Sequence, residues 1–273
     1  MSTSDIGRTT PDPRLDPHAM SPARRWNYWL GGKDHFVVDR ESGDRIAAAW
    51  PAIRTAAREG RAFHGRVVRY LAREAGIRQF LDIGTGLPAP DNTHEVAQAI
   101  APESRVTYVD NDPMVLAHAR ALMIGSPEGA TSYIDADARN PAAILSAPEL
   151  TATLDLRQPV AVLLIAVLHF IHDDQQARQI VADLLDAVPP GSYLVATNMT
   201  KDFLDPQNAA AFDAMFARGH ADTWPRDREV FGGLFDGLDL VEPGVVPISE
   251  WRPDALERPS PADVGMYGAV GRV

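Results

Sequence analysis

Residues 79–88 read Gln79-Phe80-Leu81-Asp82-Ile83-Gly84-Thr85-Gly86-Leu87-Pro88, an apolar run that passes through one carboxylate into two glycines placed one residue apart. This pattern predicts a buried strand ending in a tight loop, where glycine lets the backbone turn sharply and lie against a flat or elongated ligand. Two more apolar runs end on carboxylates. Val106-Thr107-Tyr108-Val109 closes on Asp110, and Thr131-Ser132-Tyr133-Ile134 closes on Asp135 just before Ala136-Asp137-Ala138. Nucleotide-binding sheets hold ribose hydroxyls at such strand ends, so the three ends point to one adenosine-like ligand.

Around these runs the chain alternates. Strands are expected at 79–83, 105–110, 131–135, 159–165 and 192–198, with helices from Asn92, from Asp112, near Pro141 and over 173–187. Regular alternation of this kind builds a parallel sheet with both faces covered. Residues 205–218 and 226–235 read as helices, and 238–246 with 263–270 as an antiparallel pair at the sheet edge. Upstream, 39–74 carries apolar residues at helical spacing that Pro51 divides in two. The fold class is therefore α/β and Rossmann-like, a mostly parallel seven-stranded sheet with a C-terminal antiparallel hairpin and an N-terminal helical extension. Residues 1–16 are expected to form a disordered tail, 17–75 an arm and helices covering the ligand site, and 76–273 the ligand-binding domain.

Composition narrows the partners. The apolar fraction of 45% in 273 residues supplies a sizeable core, and the formal net charge of −11 argues against nucleic acid as the main partner. The polar, Pro-rich start carries no signal-peptide or membrane-anchor pattern, and the longest apolar run, 159–171, is too short to span a bilayer. With no cysteine, a reducing cytoplasm is the simplest setting. Oligomeric state is not legible.

The glycine loop admits two ligands. As Gly84-x-Gly86-x-x-Ala89 it meets a loose dinucleotide fingerprint, which would make the chain an NAD(P)-dependent oxidoreductase. A pyrophosphate site, however, needs a helix to open within the loop, and Pro88 and Pro90 intervene. The helix is expected at Asn92, where Asn92-x-x-Glu95 forms a capping box. The roomier loop suits an amino-acid tail, with Asp82 facing its ammonium.

Asp82, Gly84, Gly86, Asp110 and Asp137, in this order, resemble the cofactor site of class I S-adenosylmethionine-dependent methyltransferases over residues 77 to 200. The resemblance implies S-adenosylmethionine as cofactor and S-adenosylhomocysteine as product. Asp110 would take both ribose hydroxyls, Asn111 would lie beside the adenine, and Asp137, in competition with Asp135, would meet its amino group. Thr85 and Ala138 complete the expected contacts. The chain is also similar to a bacterial methyltransferase family best represented in actinobacteria, through Arg24-Arg25-Trp26-Asn27-Tyr28-Trp29-Leu30-Gly31-Gly32-Lys33-Asp34, Asp91-Asn92-Thr93-His94-Glu95-Val96-Ala97 and Val109-Asp110-Asn111-Asp112-Pro113. That family is defined by sequence and fold and brings no substrate with it.

Tyr28 and Gly31 are the expected contacts from the N-terminal arm, closing over the methionine end where a sulfonium gains from aromatic faces. The two neighbouring tryptophans are read as packing residues. His169 lies just past the fourth strand, where the acceptor meets the methyl group in this fold, and is the candidate catalytic base. No Asn-Pro-Pro-aromatic or Asp-Pro-Pro-aromatic tetrad follows that strand, which disfavours amino groups of nucleobases or glutamine as acceptors. No His and Asp/Glu spacing matches a closed metal site. The reading is a methyltransferase acting on oxygen or nitrogen of a small molecule; a non-catalytic S-adenosylmethionine-binding protein is the further alternative.

Overall fold

A computed structural model describes residues 12, 14–122, 125–219 and 222–273. Most of the tail expected over 1–16 lies outside the described residues. The chain opens with three helices, α1 (Pro22–Trp29), α2 (Val37–Ala49) and α3 (Ile53–Arg73), the last two separated at Pro51. Then come β1 (Gln79–Ile83), α4 (Thr93–Gln98), β2 (Arg105–Asp110), α5 (Pro113–Leu122), β3 (Ala130–Asp135), α6 (Pro141–Leu145), α7 (Pro148–Thr153) and β4 (Ala161–Leu164). The second half runs α8 (Asp174–Leu185), β5 (Tyr193–Met199), α9 (Pro206–Ala217), α10 (Arg228–Gly232), β6 (Asp239–Leu240), β7 (Val246–Pro247), α11 (Pro261–Val264) and β8 (Met266–Arg272). Ser21-Pro22, Asn140-Pro141, Asp205-Pro206 and Ser260-Pro261 start helices in the same way. A side-chain oxygen caps a free backbone N–H, and proline occupies the first turn, where its missing N–H costs nothing.

The sheet order is β3-β2-β1-β4-β5-β8-β6, parallel through β5 and antiparallel from β8 onward. Strand order reverses between β1 and β4, so a crevice opens beyond their carboxyl ends. Alternate residues face opposite cores: Leu81 and Ile83 of β1 join Val162 and Leu164 on one face, while Phe80 joins Phe63, Val67 and Leu71 of α3 on the other.

Two expectations need correction. The sheet has eight strands rather than seven, because the run expected over 238–246 divides into β6 and β7, both paired with β8. Gly244 turns between them with its N–H donating to the Val241 carbonyl. The expected strand 263–270 begins later, since α11 takes its first residues. The Pro-rich segment after Pro243 packs back onto the core: Trp251 is fully buried, its ring edge-on to Phe63 and Tyr70, and Arg66 donates to the Trp251 and Ile248 carbonyls.

Candidate active site

Beyond the carboxyl ends of β1, β2, β3 and β4 lies a cleft of about 460 Å³. Gly84, Thr85 and Gly86 form its floor. Gly84 has φ 72° and Gly86 φ 67°, both left-handed. A Cβ on Gly84 would fall 2.1 Å from Val167 Cγ2, whereas among the described residues no atom lies within 4 Å of one on Gly86. The first glycine is therefore dictated by packing and the second by backbone direction. The helix after this loop starts at Thr93, with the Glu95 carboxylate accepting the Asn92 N–H at 2.8 Å. No helix N-terminus opens in the loop, which removes the pyrophosphate site that a dinucleotide would need.

Asp110 ends β2 at the cleft wall, buried, its two oxygens accepting the N–H groups of Gly86 and Asp112 at 2.9 Å each. Burial raises its pKa to about 6 against the opposing pull of those backbone donors. The carboxylate keeps acceptor capacity beyond these backbone donors. Asn111 and Asp137 also line the cleft, Asn111 Nδ2 donating to Asp137 at 3.0 Å. Arg139 closes on Asp137 at 2.5 Å and holds its pKa at about 2. Ala138 lies beside them on the wall. Asp135, the rival for the same role, does not line the cleft and pairs with Arg14 at 2.6 Å.

Three expected contacts do not line the cleft. Asp82 lies behind its wall, Oδ2 accepting the Thr93 hydroxyl at 2.5 Å with His64 Nε2 3.9 Å away. Burial holds His64 below its ordinary pKa, so this relay is a carboxylate beside a neutral imidazole. Tyr28 and Gly31 lie off both cavities for a reason of helical phase. On α1 the face with Pro22, Ala23, Trp26 and Asn27 borders the cleft, while Tyr28 turns to α2 and donates its hydroxyl to Asp44 at 2.6 Å. Gly31 is exposed, past the helix end.

Several residues that line the cleft were not legible as such. Trp26, read as packing, contributes to its wall. Arg61 of α3 also lines it, donating to the Pro90 and Asp91 carbonyls at 2.9 Å each and making no ion pair among the described residues. Burial lowers its pKa, and Asp82 acts in the opposite sense. The arm is fixed by Ser21, whose hydroxyl donates to Asp112 at 2.5 Å, and by Arg24, which pairs with buried Asp39 at 3.1 Å.

A second, apolar cavity of about 60 Å³ adjoins the cleft and shares Pro22, Trp26, Phe170 and Asp222 with it. His169 lines this cavity, not the cleft. It sits in a single helical turn after β4, buried, with its pKa lowered to about 4 by that burial. Arg226 fixes the turn from beneath, donating to the Leu168 and Ile171 carbonyls at 2.8 Å each and to Asn198 at 2.9 Å. No group of three or more potential metal ligands comes together, and no helix is long and apolar enough to cross a membrane, among the described residues.

Residues 8–273 match the family model described as S-adenosyl methyltransferase. A DUF574 family protein of Streptomyces avermitilis superposes with a TM-score of 0.89 at 45% identity, covering 94% of this chain and 98% of its own. A candidate methyltransferase from Thermobifida fusca gives 0.86 at 39% identity, covering 95% and 97%. No match was found among curated proteins. A buried strand-end carboxylate, an open glycine loop and an unpaired guanidinium at one cleft suit a sugar diol, a ligand backbone and a carboxylate, the parts of S-adenosylmethionine. The chain belongs to the S-adenosyl methyltransferase family and is an S-adenosylmethionine-dependent enzyme.

Proposed function

We propose that the enzyme passes a methyl group to oxygen or nitrogen of a small molecule, with the cofactor in the larger cleft and the acceptor in the adjoining apolar cavity. The observation that carries this reading is the common wall of Pro22, Trp26, Phe170 and Asp222, which brings the two spaces into contact. When bound, S-adenosylmethionine supplies an electrophilic methyl carbon on a sulfonium that leaves as a neutral thioether.

The chain's own work is placement. Asp110 accepts ribose hydroxyls with the positions left free by Gly86 and Asp112. Gly84, Thr85 and Gly86 let the backbone lie along the ligand, while Asn111, Asp137 and Ala138 border the base. Arg61 pairs with the amino-acid carboxylate. Asp82, relayed through Thr93, places negative charge behind the ammonium instead of touching it. His169, neutral at pH 7, offers a hydrogen-bonding nitrogen on the acceptor side. A net charge of −11 and the absence of cysteine support a small-molecule acceptor and a reducing, cytoplasmic setting.

Isotope transfer from methyl-labelled cofactor into a fractionated metabolite extract tests this. The expected outcome is a labelled low-mass product that disappears with Asp110→Ala. Label found only in protein or nucleic acid would overturn the small-molecule acceptor.

A further inference from the structure

The apolar cavity beside the cleft holds buried polar atoms that the fold does not satisfy. Among the described residues, His169 Nδ1 and Arg25 Nε are fully buried without a hydrogen-bond partner, and both residues line this cavity. Unpaired buried polar atoms are rare because each forfeits its hydration without compensation. The other nitrogens of Arg25 are engaged, with Ser42 at 3.2 Å and Asp222 at 2.6 Å. Most of the remaining wall is apolar, with Trp26, Trp29, Trp50, Phe170 and Phe212 supplying five aromatic side chains beside the polar Asn208, Asp222 and Thr223.

The cover over this cavity is incomplete. α9 contributes Asn208, Phe212 and Met215 to the lining, yet none of its residues is buried. Phe212 and Met215 line the cavity while only half-buried, which leaves apolar area for a ligand to cover. At about 60 Å³ the space exceeds the ~10–15 Å³ that one water needs.

We infer that this cavity takes a flat, mostly carbon aromatic acceptor bearing one hydroxyl, held between the α1 tryptophans and α9, with the hydroxyl at His169. The inference rests on the reading of the larger cleft as the cofactor site. A hydroxyl both donates and accepts, so it meets a ring nitrogen of His169 in either imidazole tautomer. A carbonyl can only accept and an ammonium can only donate, and the ammonium would stand beside the Arg25 cation. Aromatic walls favour a ring through offset and edge contacts over a flexible chain, which loses more rotamer freedom on burial.

The test uses the full chain loaded with S-adenosylhomocysteine, titrated with 1-naphthol and with naphthalene and followed by calorimetry and tryptophan fluorescence. Saturable 1-naphthol binding is expected. His169→Phe should weaken it tenfold or more and leave naphthalene within twofold, while Ala49→Trp, which fills the cavity from α2, should abolish both. Absence of saturable 1-naphthol binding, equal affinity of the two probes for the wild type, or insensitivity to Ala49→Trp would overturn the inference. S-adenosylhomocysteine is titrated first on the same samples. Its failure to bind would sink the cofactor reading, and the naphthol arms on unloaded protein would still decide the cavity.

Discussion

The Arg25 guanidinium lies 2.6 Å from the Asp222 carboxylate, and the pair stands at the boundary between the two cavities. Arg25 is buried and also donates to Ser42 on α2, so this pair joins α1, α2 and the segment beyond α9. Removing the carboxylate leaves a buried cation with less compensation. Asp222→Asn is expected to lower unfolding free energy by about 2 kcal/mol in urea titration, softened by the partial exposure of Asp222.

Asp110 gives cofactor affinity a pH dependence. Its carboxyl is raised to about 6 by burial, and in the proposed function ribose hydroxyls bind its ionised form. Above pH 6 the affinity for S-adenosylhomocysteine should be flat; below it, affinity should fall about tenfold per pH unit as the free protein takes up a proton. The same raised pKa makes folding relatively favourable at low pH, and that contribution is lost as pH rises from 3.8 through about 6. Calorimetry from pH 5 to 8 checks the binding slope, which Asp110→Asn should flatten.

Arg61 should separate the two ends of the cofactor. Arg61→Gln is expected to weaken S-adenosylhomocysteine about 10- to 100-fold, the range for a hydrogen bond to a charged group. Methylthioadenosine, which lacks the amino-acid tail, should bind the variant as it binds the wild type. Equal losses for both ligands would place Arg61 away from the carboxylate.

The two loop glycines should respond differently to alanine. Gly84→Ala drives a Cβ into Val167 and should cost about 2–4 kcal/mol, part of it recovered with Val167→Ala. Gly86→Ala meets open space, so only the left-handed backbone penalty of about 1–2 kcal/mol remains. Paired thermal and urea melts on the three variants resolve the difference.

The sheet and the strand ends that border the cleft were legible because strand ends announce themselves locally: an apolar run stops at Asp110, or runs through Asp82 to Gly84. The arm was not. Tyr28 and Trp26 are two residues apart on one short helix, and which of them meets the cleft depends on how α1 is rotated against α2 and α3. Arg61 sits on an amphipathic helix whose inward face only the packed sheet defines. Asp82 was placed correctly at its strand end, but its carboxylate is taken by Thr93, a partner contributed by the next helix. The eighth strand was missed because β6 and β7 are two residues each and owe their existence to β8.

The arm is tied to the sheet at Asp135 by Arg14 and, beside the cleft, at Asp112 by Ser21. Ties of this kind, made to protein groups and not to a ligand, contribute equally to the full and the empty protein and so cancel from affinity. Where the arm must part for a ligand to pass, what they set is the time that ligand takes to enter and leave. The outer tie is between solvent-exposed charges and the inner one is buried, so salt should quicken exchange by loosening the first, leaving equilibrium occupancy where it was.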